Sequence, residues 1–274
     1  MERLPAPTAA RILTDAPQNG GADASVWEFT APSDGVYTLT VQGAETGALY
    51  DTTDVLPKAG REGTMLQRGF YLEAGETALF CVQAEASYTV EVTRAQEIGL
   101  CSPVRFNAAF TGYERFFSFT APAAGSYVFH AAGESGWLYK LGENAVWELY
   151  RHFSASRPDS GVSLTLEKGQ RVYFRIAYTA IGSYSFAVSR PAPEVSVSDE
   201  GVNVSYDPEF TGLHLIALYD ADGRMVDVQY VPVQSLDTRI SVVLRGTKTG
   251  FVRVFQLDAE KNTPLTAAKQ IELV

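Results

Sequence analysis

Apolar and polar positions alternate with a period of two along most of the chain. In 36–41, Tyr37, Leu39 and Val41 fall on one side, with Thr38 and Thr40 opposite. In 126–131, Tyr127, Phe129 and Ala131 share a side against Ser126, Val128 and His130. In 171–178, Val172, Phe174, Ile176 and Tyr178 oppose Arg171, Tyr173, Arg175 and Ala177. In 184–188, Tyr184, Phe186 and Val188 oppose Ser185 and Ala187. A strand turns successive side chains to opposite faces, so each stretch predicts one buried face and one wet face. That is the mark of antiparallel sheets. One sheet alone could not hide these rings, so two sheets stacked face to face are predicted. Each Phe or Tyr taken out of water contributes roughly 1.5–3 kcal/mol.

The same phrase is written twice. FTAPSDGVYTLT at 29–40 corresponds to FTAPAAGSYVFH at 119–130, GALYD at 47–51 to GWLYK at 136–140, LEAGETALFCV at 72–82 to LEKGQRVYFRI at 166–176, and SYTVEV at 87–92 to SYSFAV at 183–188. The offset drifts from 90 residues between Phe29 and Phe119 to 96 between Tyr88 and Tyr184, as insertions in loops produce. Within each copy, the proline of Ala-Pro ends one strand because it fixes its own torsion and lacks a donor. The glycine that follows starts the return strand.

From Pro191-Ala192-Pro193 the pattern changes. Seven short strands are predicted: VSVSD, GVNVSY, GLHLIALYD, RMVDVQYV, TRISVVL, GFVRVFQLD and AKQIELV. That number in so short a segment suggests a sandwich of immunoglobulin-like size. YDADGRMVD at 219–227 reads as a hairpin turning at Asp222-Gly223. A calcium reading of Asp220, Asp222 and Asp227 competes with the plain turn, but the rest of a calcium loop and its distal Glu are missing. The predicted class is therefore all-β, with three tandem antiparallel β-sandwich domains: two repeats and one immunoglobulin-like domain. The expected boundaries are 1–24 for an N-terminal extension or first strand, 25–98 and 99–191 for the repeats, and 192–274 for the last sandwich.

Both repeats resemble the bacterial pre-peptidase C-terminal domain, on WEFTAPSDGVY and FFSFTAPAAGSY and the later pieces quoted above. The resemblance implies that the two repeats are small jelly-roll-like sandwiches, of a kind attached to secreted peptidases and other exported bacterial proteins, some relatives of which bind collagen or sugars. Relatives sometimes carry calcium, which leaves a calcium requirement open, although no acidic cluster here matches a ligand pattern well; no cofactor is expected. The last segment is similar to the C-terminal sandwich of surface proteins of anaerobic Gram-positive bacteria, on YDADGRMVDV and VRVFQLDAEKNTPL. Leu257 stands where the tryptophan of that second motif is usual. Both resemblances imply an extracellular or cell-surface location. The first residues, MERLPAPTAARILTDAP, carry no apolar core of signal-peptide type. Either a leader was removed or the protein stays in the cytoplasm; export is the expectation.

Composition narrows the chemistry. Aromatic residues make up 12% of the 274 residues, with 14 Tyr and 15 Phe, which suits pleated faces. The net charge of −10 repels polyanions, so no nucleic-acid partner is expected. No segment approaches the roughly 18 apolar residues of a membrane span, so no membrane insertion is expected. Two cysteines and three histidines give no zinc spacing. There is no G-x-S-x-G elbow, no H-E-x-x-H and no phosphate-cradling G-x-x-x-x-G-K, and units this small leave little room for a deep cleft. No enzymatic activity is expected. His130, His152 and His214 read as strand or loop residues near the surface.

Aromatic residues are the better lead. Trp137 stands where the first repeat has Ala48, and the loop that follows brings Trp147, Tyr150, Arg151 and His152. Trp137 and Tyr139 should share a face. With Trp147 and Tyr150 they could form a stacking platform for a sugar ring or a groove for an extended peptide; the alternative is that they fill a core or an interdomain seam. Cys81 falls opposite Phe80 and Val82, and Cys101 lies in the connector GLCSPVRF. Two free thiols are the default reading; a bridge between them, which would close a loop and contribute roughly 3 kcal/mol, is the alternative. The expected function is a non-catalytic exported or cell-surface binding or spacer module, its partner a glycan or an extracellular or matrix protein. An accessory targeting region of a secreted peptidase or glycoside hydrolase, and a structural assembly protein without a small ligand, are the alternatives.

Overall fold

The computed structural model describes residues 11–12, 16–21, 25–43, 47–51, 54–59, 65–84, 86–109, 114–143, 145–156, 161–198, 201–206, 210, 212–233, 239–246, 249–259, 262–266 and 268–273. They form three β-sandwiches, all-β as the alternation predicts.

The first unit has strands β1 (Arg11–Ile12), β2 (Gln18–Gly20), β3 (Ser25–Thr30), β4 (Gly35–Gln42), β5 (Gly47–Asp51), β6 (Asp54–Ala59), β7 (Met65–Leu72), β8 (Thr77–Ala84) and β9 (Tyr88–Arg94). The second has β10 (Gln96–Glu97), β11 (Val104–Ala108), β12 (Glu114–Thr120), β13 (Gly125–Gly133), β14 (Ser135–Leu141), β15 (Trp147–Ser154), β16 (Gly161–Leu166), β17 (Arg171–Tyr178) and β18 (Gly182–Ser189). Their sheets correspond strand for strand. The five-stranded sheets run β1-β3-β8-β5-β6 and β10-β12-β17-β14-β15, and the four-stranded sheets run β2-β9-β4-β7 and β11-β18-β13-β16. Pairing is antiparallel apart from two short parallel contacts, β1 on β3 and β10 on β12. Gln96 and Glu97, just before the second repeat, pair with β12. Gln18–Gly20 pairs with β9, so of the two readings of 1–24, extension or first strand, these residues form a strand.

The repeated phrases owe their recurrence to one device. Ala31 donates to Glu76 O at 2.8 Å and accepts from Gly75 N at 2.8 Å; Ala121 makes the same exchange with Gln170 O at 2.9 Å and Gly169 N at 2.8 Å. The Ala-Pro corner is thus locked to the Leu-Glu-x-Gly turn, whose glycines take φ of 81° and 80°. The tyrosine of the motif closes the corner from inside. The Tyr37 hydroxyl donates to Ser33 O at 2.5 Å, and that of Tyr127 to Ala123 O at 2.6 Å.

Each sandwich buries its own core. Trp27, Phe29, Tyr37, Leu39 and Phe80 lead the first, and Phe117, Phe119, Phe129, Phe174 and Phe186 the second. The third unit has β19 (Glu194–Ser198), β20 (Gly201–Ser205), β21 (Leu213–Tyr219), β22 (Met225–Pro232), β23 (Arg239–Val242), β24 (Gly250–Leu257) and β25 (Lys269–Leu273). Its sheets β19-β20-β23 and β22-β21-β24-β25 enclose Val202, Val204, Ile216, Leu218, Val252 and Val254. All seven predicted strands are present. The Asp220 carboxylate accepts from Asp222 N at 3.0 Å and Arg224 N at 2.9 Å, and Gly223 takes φ of 77°, so the predicted hairpin turn is built on its own backbone.

The units touch. A fourth apolar cluster joins Val36 and Tyr71 of the first unit to Phe116, Tyr173, Leu141 and Trp147 of the second. Here the outer face of β4 and β7 meets the outer face of the second unit's five-stranded sheet. The Phe116 ring lies over Gly69, where a Cβ would stand 2.0 Å from it. Glu114 N donates to Gln67 Oε1 at 3.1 Å across the same seam. Thr38 and Tyr173, which alternation assigns to wet faces, are therefore buried. Farther along, Arg190 donates its backbone N–H to Leu265 O at 2.9 Å and lays its guanidinium 4.5 Å over the Tyr127 ring, tying the second unit to the third.

The cysteine alternatives are decided, and one expectation is corrected. Cys81 and Cys101 are free thiols. Cys101 N donates to Val188 O at 2.7 Å, and neighbouring Leu100 bridges to Val188, so the connector is held on β18 of the second unit while Cys81 sits on β8 of the first. Burial pushes the Cys101 thiol up to about 11 and raises that of Cys81. His214 is not near the surface. It is fully buried, between the rings of Tyr206 at 4.6 Å and Phe210 at 5.0 Å, because it shares its strand face with Ile216 and Leu218.

Candidate functional site

The second unit's five-stranded sheet turns Phe117, Phe174 and Leu138 inward, so the intervening residues project from its outer face. Register sets them in rows. Phe116, Arg175, Tyr139 and Leu149 lie abreast on β12, β17, β14 and β15, and Glu114, Ala177, Trp137 and His152 form the next row.

Arg175 is the hinge of the first row. Its guanidinium carbon lies 4.0 Å from the centroid of Tyr139 and 5.4 Å from that of Trp147, and its Nη1 donates to Glu114 Oε1 at 3.0 Å. Guanidinium stacks well on aromatic faces, and the carboxylate fixes its direction. Trp147 in turn meets Phe116 at 5.5 Å. This end of the face is closed by the first unit, and Tyr71 packs there against Tyr173 at 6.0 Å. Burial, and then the Asp34 carboxylate, push the Tyr71 hydroxyl above the ordinary tyrosine value.

The second row is open. Trp137, half-buried, meets the exposed His152 edge to face at 4.5 Å. His152 Nε2 is 3.4 Å from Ser135 Oγ. Leu149, 55% exposed, extends the apolar surface along β15, which is the edge strand of the sheet.

The four aromatic residues singled out from the sequence thus divide. Trp137 and Tyr139 share the outer face. Trp147 stands on that face too, packed into the seam. Tyr150 does not join them. It is the extra residue of a bulge in β15, since Leu138 pairs with Arg151 and Tyr139 with Leu149. Its ring lies 5.7 Å from Lys140 Nζ, on the side that alternates with Tyr139. Sequence reasoning missed Phe116, Tyr173 and Arg175. The signal was present, because Tyr173 is an aromatic residue at a position that alternation assigns to solvent.

Among the described residues, no three or more His, Cys, Asp or Glu side chains gather as metal ligands, and no helix is long and apolar enough to cross a membrane. No family model matches the chain, and no curated protein matches it. Solved structures are similar to it at a distance. A β-glucuronidase from Ruminococcus gnavus in complex with D-glucuronic acid is 11% identical over 60% of this chain and 36% of its own, at a TM-score of 0.23. A β-D-glucuronidase from Dictyoglomus thermophilum is 9% identical over 86% and 43%, at 0.24. Tripeptidyl peptidase 2 is 8% identical over 96% and 30%, at 0.22. The chain spans less than half the length of each. Likenesses this loose carry no argument about activity.

Proposed function

We propose that the chain is a non-catalytic binding and spacer region of an exported or cell-surface protein, and that it holds a glycan on the open half of the second unit's five-stranded sheet. The observation that carries this is the pairing of Trp137 with His152 on that face, with Leu149 beside them, at the place where the first repeat has Ala48. An indole gives a sugar ring a flat apolar support, and His152 and Ser135 offer polar groups at its edge. Behind it, the Tyr139–Arg175–Glu114 stack holds the sheet face rigid, which lowers the ordering cost of binding. The spacer role follows from the apolar seam, which makes the first two units one body. The resemblance of both repeats to pre-peptidase C-terminal domains supports the exported setting.

The test is a glycan and extracellular-matrix array probed with the protein and with Trp137→Ala. The expected result is binding to glycan spots that Trp137→Ala loses roughly tenfold or more, with an unchanged melting temperature. Binding that Trp137→Ala leaves intact, or binding to matrix proteins alone, overturns the assignment.

A further inference from the structure

The two repeats share a second feature, on the opposite sheet from Trp137. On the outer face of the four-stranded sheet of each unit lies a shallow trough, about 400 Å³ in the first and about 500 Å³ in the second. Register shows that they occupy the same place. In the first unit Asn19, Thr89 and Gln42 form a row across β2, β9 and β4. In the second, Arg105, Ser185 and Ala132 form the matching row across β11, β18 and β13. Beside each row stand a serine (Ser87, Ser183), a glycine (Gly43, Gly133) and a tyrosine (Tyr88, Tyr184).

The backbone beneath each trough is held from the core side, where the Tyr88 and Tyr184 rings are buried. Tyr88 accepts from Trp27 Nε1 at 2.9 Å, and Tyr184 donates to Ser135 O at 2.9 Å while its ring stacks on Phe106 at 5.7 Å. Gly43 and Gly133 both take positive φ, of 90° and 154°, and a Cβ on Gly133 would stand 2.3 Å from the Tyr184 ring. The linings consist of amides, hydroxyls, small residues and, in the second trough, a guanidinium. Among the described residues, neither lining includes a carboxylate.

From this we infer that each repeat carries a saccharide site in this trough, and that Arg105 turns the second toward a carboxylated sugar. Amides and hydroxyls both donate and accept, which matches a ligand whose hydroxyls do the same. The volumes fall within the ~300–1,000 Å³ range of small-ligand pockets. Arg105 is exposed, and its fork presents paired donors suited to a carboxylate. Asn19 replaces it in the first repeat, so that site takes neutral sugars.

The test is titration of the full chain, isotopically labelled, with a hyaluronan oligosaccharide and with a neutral cello-oligosaccharide, following backbone amide resonances. The expected result is saturable shifts by hyaluronan at Ser183 to Ser185, and by the neutral sugar at Ser87 to Thr89. Arg105→Ala should weaken hyaluronan roughly ten- to a hundredfold and leave the neutral sugar unchanged. The place of these shifts, on the sheet opposite Trp137, separates this inference from the platform there. Shifts confined to Trp137 and His152, no saturable shift, or equal hyaluronan affinity in Arg105→Ala and the parent would each overturn it. An unchanged melting temperature of Arg105→Ala establishes that the fold is intact.

Discussion

The first and second repeats lay nine strands in one order, yet their outer faces have parted. The inner rows match: Trp27 faces Phe80 across β3 and β8 as Phe117 faces Phe174 across β12 and β17. One register step away, Val26 and Cys81 of the first unit become Phe116 and Arg175 of the second, and Leu79 becomes Tyr173. Inner side chains must interdigitate with an opposing sheet, so a change in one is felt by several. Outer side chains carry no such constraint. In the second unit they have been enlarged and charged, and the result is a seam toward the first unit and an open aromatic face beyond it.

The comparison breaks most sharply at Phe116. Its ring is buried against Gly69, and truncating a buried phenylalanine costs about 3–5 kcal/mol. Phe116→Ala should lower the stability of the joined repeats by that amount in urea unfolding and split one transition into two. Val26→Ala, the equivalent change in the first unit, should cost about 1 kcal/mol, because Val26 is half-buried. Equal effects of the two substitutions would mean that the seam adds nothing beyond ordinary packing.

Acid separates both repeats from the third unit. The first repeat has no histidine, and His130 and His152 of the second are not buried. His214 is fully buried, neither ring nitrogen has a hydrogen-bond partner, and burial lowers its pKa from 6.5 to about 4. The folded state therefore favours the neutral ring. Between pH 6.5 and 4 the unfolded chain binds the proton and the folded chain does not, so stability falls as pH falls. The loss reaches about 3 kcal/mol near pH 4. The third unit should melt first as the solution is acidified, and His214→Phe should flatten that slope. An unchanged slope in His214→Phe would assign the acid sensitivity to other groups.

The faces of the strands were legible because period two is a local property. Tyr37, Leu39 and Val41 are buried where alternation puts them, and so are Tyr184, Phe186 and Val188. The seam was not legible. Alternation tells which residues share a face, not whether a second unit covers it, so Thr38 and Tyr173 read as wet. His214 shows a different failure. Its parity with Ile216 and Leu218 pointed inward, but a histidine alone usually sits near water. The partner of Cys101 could not be read either, since it is decided by one backbone hydrogen bond to Val188 made through the fold. For the aromatic site, the shared face of Trp137 and Tyr139 was legible. The separation of Tyr150 was not, because a bulge in β15 shifts the parity there.

The smallest expected effect tests what the repeats have kept in common. Tyr37 and Tyr127 close the same corner, each through its hydroxyl to the carbonyl four residues back. Removing the hydroxyl leaves the ring in the core and takes away the bond to that carbonyl, worth roughly 0.5–1.5 kcal/mol; at Tyr127 a longer bond accepted from Ala123 N at 3.3 Å goes with it. Tyr37→Phe and Tyr127→Phe should therefore cost nearly the same, although their surroundings differ. Tyr127 also supports the Arg190 guanidinium, but that contact is to the ring, which phenylalanine retains. Paired denaturation curves check this. A cost at Tyr127 well above that at Tyr37 would mean that the hydroxyl also secures the junction with the third unit. Equal costs would identify the corner itself as what the shared Ala-Pro-x-x-Gly-x-Tyr phrase encodes.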